Sequence, residues 1–178
     1  QGELFMKKKI VLMLTVIMLI GLAGCGKNQI NIKETGTSDN NEQMVQNIYE
    51  NKRTEVKQKI SEIKERLPET SAEDKGTCGS KAKWYYKDNT LIIYGEGVIT
   101  EDTWHKSNIV INTVVIDSGI TKLGNNMFSG LGSEVGKNIE NFYIADGLEE
   151  IGSSTFVNCD CLSEIVLPPS LYFIDGYT

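Results

Sequence analysis

Histidine is almost missing from this sequence. One residue, His105, stands among 178. A lone histidine next to Trp104 assembles no Ser-His-Asp set, and no Gly-rich phosphate loop accompanies it. His105 therefore reads as a structural residue. Cysteine is scarce as well, with four residues. Cys25 aside, Cys78, Cys159 and Cys161 remain, an odd number that leaves at least one thiol free within these residues. Cys159 and Cys161 are too close for an easy disulfide and lack histidine neighbours for zinc. No metal site and no cofactor is expected. Positive charge is in deficit: 18 Lys and Arg against 24 Asp and Glu give a net charge of -6. Residues 78–178 alone carry 13 acidic and 6 basic side chains. Nucleic acid needs a basic patch, so it is excluded as a partner. Long apolar runs are absent but for one near the start, Ile10 to Ile20. That run is shorter than the roughly 20 residues of a spanning helix.

What surrounds that run is informative. Residues 1–5 precede Met6 and are set aside. Lys7, Lys8 and Lys9 form a basic start, the apolar run follows, and small residues close the segment. Residues 6–24 thus read as a secretory signal peptide. Its end, Leu22-Ala23-Gly24-Cys25, resembles a bacterial lipobox. The resemblance implies that Cys25 is acylated and becomes the first mature residue. The expected location is the outer, extracytoplasmic face of a cell membrane, held by a lipid anchor. Residues 25–41 are polar after the cysteine and read as a flexible tether.

Residues 42–67 change character. Val56, Ile60, Ile63 and Leu67 recur at helical spacing, and Pro68 ends the pattern. Written as heptads, 49/56/63 and 53/60/67 make a seam with Arg53 as a polar break. The segment reads as an α-helical stalk, either a lone amphipathic spacer or a coiled coil for self-association. Residues 68–76 read as a second linker.

Everything beyond is organised around a repeat. Ile111, Val114, Ile116 and Ile120 match Ile139, Phe142, Ile144 and Leu148, which match Leu162, Ile165, Leu167 and Leu171. Leu123-Gly124 and Ile151-Gly152 follow, then Phe128 and Phe156. Alternation at 114/116, 142/144 and 165/167 predicts strands with one buried face. One such unit cannot bury its face alone, so the units stack into a solenoid with a continuous core. Upstream, residues 77–110 form an N-terminal cap. Trp84-Tyr85-Tyr86, a polar turn at Lys87-Asp88-Asn89 and Thr90 to Tyr94 predict a β-hairpin that ends on a degenerate repeat. Trp104 is expected to plug this cap against the first full repeat. Thr178 falls 23 residues after Thr155, so residue 179 is expected to match Phe156 and the chain reads as a fragment.

These residues resemble a named family. The run from Cys78 to Gly97, then Trp104, then the repeats at 111–178, is similar to the BspA-like leucine-rich-repeat proteins of bacteria. Ile151-Gly152, Phe156, Cys159, Leu162, Ile165, Leu167 and Pro168 fall in the family's places. Thr155 stands where alanine is usual, and the first repeat carries extra residues around Gly132 to Lys137. The expected fold is a β-rich leucine-rich-repeat solenoid. The resemblance implies surface display, binding of protein or matrix ligands, and no catalytic residues. The outward strand face is the candidate ligand surface: Asn112, Thr113, Val115, Glu140, Asn141, Tyr143, Ser163, Glu164 and Val166. An alternative is that the repeats position a peptidase or wall hydrolase lying beyond residue 178.

Overall fold

The computed structural model describes residues 38–107, 109–129 and 136–176. The signal segment, Cys25, most of the tether and the inserted loop near Gly132 lie outside them. A 29-residue helix, α1 (Ser38–Arg66), comes first and claims residues 38–41 from the expected tether. Eight strands follow: β1 (Asp74–Thr77), β2 (Lys81–Lys87), β3 (Thr90–Ile99), β4 (Thr113–Ile116), β5 (Ile120–Leu123), β6 (Asn141–Ile144), β7 (Glu150–Ile151) and β8 (Phe173–Ile174).

Each of the first two full repeats adds one short parallel strand to each of two ladders, and the last described turn adds one to the second ladder alone. The front ladder runs β1-β2-β3-β4-β6, and the back ladder runs β3-β5-β7-β8. The long strand β3 belongs to both. It bends where Gly95 and Gly97 take φ of 99° and 88°, values that glycine adopts at little cost. The result is a β-solenoid of about three turns. The hairpin forms as expected, with Tyr86 opposite Leu91 and Trp84 opposite Ile93. Asp88 and Asn89 both take positive φ in its tight turn.

The core lies between the two ladders. Leu91, Ile93, Val114, Ile116, Ile120, Leu123, Ile139 and Ile144 are all fully enclosed. An aromatic column runs along the solenoid beside them. Trp104 stacks on Phe128 at 5.4 Å, and Phe128 stacks towards Phe156 at 6.3 Å. Phe142 meets Phe128 and Phe156 edge-on at 4.9 and 5.0 Å. Trp104 also packs edge-on against Trp84, so it does seal the cap to the first repeat. Thr155, in the family's alanine position, is fully buried. Its hydroxyl donates within hydrogen-bond distance of Gly152 O (2.6 Å) and Gly124 O (3.1 Å), which removes the cost of burying it.

Three expectations need correction. The linker 68–76 is not loop throughout: a 3-10 turn at Glu69–Ser71 leads into β1, which pairs antiparallel with β2. Asp74-Lys75-Gly76-Thr77 has no apolar residue to announce a strand. Residues 165–167 form no ladder with β6, because Val166 O and Leu167 O turn towards α1 instead. And α1 is no free stalk, since it lies on the front ladder. Its seam residues Val56, Ile60, Ile63 and Leu67 are buried against Tyr85, Ile92 and Val115, with Tyr94, Tyr143, Ala145 and Val166 at the margin. Burying each aliphatic side chain there contributes about 1.5–3 kcal/mol.

Candidate functional site

The outward strand face is where a solenoid of this kind offers itself to a partner, and α1 crosses it. The helix runs from the last described turn back to the cap. Near its start the Tyr49 hydroxyl donates to Leu167 O (2.9 Å), and at its end Leu67 O accepts from the Tyr85 hydroxyl (2.9 Å). Burial pushes the Tyr49 phenol up to about 12, so it stays a donor at neutral pH. Arg53 sits between these ends, 3 % exposed. One guanidinium nitrogen donates to both Ile144 O and Val166 O at 2.9 Å, and the other meets Asp146 at 2.7 Å. The residue read as a polar break in a coiled coil thus ties two successive turns of the solenoid to the helix.

Charge sorts by element at this contact. Lys52 pairs with Glu164 and Lys57 with Asp146, both at 2.6 Å, and Lys64 pairs with Asp117. With Arg53, every cation comes from α1 and every carboxylate from the repeats. Asp117 is also a turn residue, accepting from the Ser118 N–H at 2.9 Å. Burial alone would raise the Asp146 carboxyl, but hydrogen bonds and charge from Lys57 and Arg53 outweigh it and hold the group below its ordinary value. The signal for this contact was present in the sequence. An excess of acid in the repeats stood beside cations at 53, 57 and 64, on the flank of the helix's apolar stripe.

The nine predicted face residues therefore separate. Val115 is fully buried under α1, and Tyr143 and Val166 pack at the helix margin. Asn112 is engaged within the solenoid: its amide accepts from Asn89 and donates to Asn138 O, a ladder running along the turns. Asn112 sits two residues before the inward Val114, so it shares the inward parity. Thr113 is half-buried within β4, in register with Thr90 and Asn141. Glu140, Asn141, Ser163 and Glu164 stay exposed. Those four, with Tyr143 and Val166, line one wall of a cleft of about 460 Å³; Lys52, Glu55, Val56 and Lys59 of α1 line the other. Val56, Phe142 and Val166 are the aliphatic and phenyl residues of its lining, beside both charges.

Reactive side chains lie elsewhere. His105 Nδ1 is 2.6 Å from Asp102 in the turn after β3. Burial pushes the thiols of Cys78 and Cys159 up to about 12, which leaves them weak nucleophiles at neutral pH. Among the described residues, no cluster of three or more His, Cys, Asp or Glu is placed to hold a metal ion. Among the same residues, no helix is long and apolar enough to cross a membrane.

Two stacked ladders of short strands and an aromatic column running along them define a leucine-rich-repeat scaffold, a class suited to protein interaction. Residues 92–178 match the BspA type leucine rich repeat region, in six copies. Residues 92–178 are thus a BspA-like leucine-rich-repeat region. It is similar to a leucine-rich repeat protein of known crystal structure from Eubacterium ventriosum, with 24 % identity and a TM-score of 0.40. The match covers 48 % of this chain and 23 % of that one, so the chain spans less than a quarter of that protein's length. No curated protein matches the chain.

Proposed function

We propose that this chain is a lipid-anchored surface protein whose repeat domain binds protein or matrix ligands at the cleft between α1 and the front ladder. The observation that carries the reading is the cleft itself. It combines apolar residues, both charges and the half-buried Tyr143, a mixed lining of the kind protein-binding surfaces carry. The tripeptide before Cys25 supports the anchor. Two acyl chains suffice for stable membrane attachment, whereas one does not.

Two experiments test this. Cys25→Ser should move the protein from the membrane fraction to the medium and abolish incorporation of labelled fatty acid. Retention of both would end the anchor proposal. For binding, cells displaying the protein are allowed to settle on a panel of immobilised matrix proteins. Tyr143→Ala with Glu164→Lys should cut retention about tenfold, roughly the loss of one good contact. Neither residue belongs to the core between the ladders, so the β-sheet spectrum should be unchanged. Equal retention of both forms, or of cells lacking the protein, would remove the cleft as the site.

A further inference from the structure

The core between the two ladders is complete without α1. No residue of the helix belongs to it. The helix is a separate layer with its own apolar cluster, joined to β1 only through residues 67–73. Lifting it would bare Ile92 and Val115, now fully buried, together with Tyr85 and the carboxylates of Asp117 and Asp146. An apolar stripe flanked by acid is the negative image of a basic amphipathic helix.

We propose that the front face of the solenoid is a helix-binding surface, and that its external partner is a basic amphipathic helix of another protein that displaces α1. The partner needs apolar residues spaced as 56, 60, 63 and 67, and cations spaced as 53, 57 and 64. The cleft beside α1 gives it a foothold, since Glu140 and Glu164 are exposed along that edge. The α1 helix holds the face until such a partner arrives, because a short linker keeps it at an effective concentration in the millimolar range. This rests on the binding reading above and names the partner's class. Charge complementarity selects the occupant: α1 supplies all the cations of the contact and the repeats supply all the carboxylates.

The test uses the full chain with a protease site placed in residues 68–73. After cleavage, α1 should stay bound at micromolar concentration on gel filtration. A fluorescent peptide of residues 42–67 should then exchange into the face and saturate it. A peptide of unrelated sequence that keeps only positions 53, 56, 57, 60, 63, 64 and 67 should compete within about tenfold. Reversing the three cations to glutamate should weaken the peptide about 100-fold, as expected for desolvated charge pairs left facing like charge. Uncut protein should bind the peptide at least about 100-fold more weakly than cut protein. The proposal falls if the cut protein loses its β-sheet spectrum as α1 leaves, since α1 is then part of the fold. It falls too if the peptide does not exchange. Dimers that swap α1 between copies would give the face to a second copy and overturn the external partner. Exchange as expected, with no effect of the cleft variant on cell retention, would keep this proposal and end the adhesion reading.

Discussion

Arg53 shows how much one side chain can carry. It reaches two backbone carbonyls on successive turns and one carboxylate, at 2.7–2.9 Å. Removing it leaves Ile144 O and Val166 O short of a donor beneath the helix. Asp146 suffers less, because it is 43 % exposed and keeps Lys57. Arg53→Ala should therefore cost about 2 kcal/mol, between a neutral hydrogen bond and a fully buried ion pair. Urea denaturation gives the number, and a change below about 0.5 kcal/mol, the range of an ordinary surface substitution, would deny Arg53 its tying role. Asp146 makes the pH prediction. Its folded carboxyl titrates below the ordinary 3.8, so its stabilisation is complete above that pH and is lost as pH falls through the folded value. The denaturation midpoint should hold steady from pH 7 to 5 and drop below about pH 4. Asp146→Asn should be less stable at pH 7 and should close the gap to wild type in acid. A gap that stays constant however far the pH falls would show that the carboxylate charge is not the cause.

Among elements, the repeat strands and α1 differ in how legible they were. The strands announce themselves because a ladder with one buried face forces alternation, and stacking forces the same alternation every 23–28 residues. Phe128 and Phe156 follow the same period and build the column that Trp104 closes. Phe128→Ala should cost about 3–5 kcal/mol, the price of a large ring enclosed on all sides. Thermal unfolding with intact far-UV signal at low temperature would measure it; a loss near 1 kcal/mol would mean the column collapses to fill the gap. The helix was legible as a helix, but its docking was not. Spacing at 56/60/63/67 describes a stripe that a second helix or a sheet covers equally well. Only the opposed charges discriminate, and they act between segments far apart in sequence. β1 was invisible for a different reason. It is an edge strand held by backbone pairing to β2, and pairing leaves no trace in side-chain pattern.

The whole molecule is layered: helix, front ladder, core, back ladder. The layers decide which face can meet a partner, since the helix owns the middle of the strand face and leaves the cleft strip open. They also divide α1 into two parts. From Tyr49 to Leu67 the helix is pinned by hydrogen bonds, ion pairs and apolar contacts to successive turns. Before Tyr49, Val45 and Ile48 belong to neither apolar cluster, and the side-chain bonds there, Gln43 to Asn47 and Gln46 to Glu50, stay within the helix. Residues 42–48 join neither cluster and are too few to hold a helix by themselves in water. Native-state hydrogen exchange should therefore step sharply along one continuous helix. Amides of 42–48 should exchange within about tenfold of an unfolded chain, while those of 53–66 should be protected by the free energy of lifting the helix off the sheet. Arg53→Ala should shrink the second protection and leave the first unchanged. Uniform protection from 42 to 66 would mean that α1 is stable by itself, and the sheet would then be a surface it rests on and not the reason it is folded.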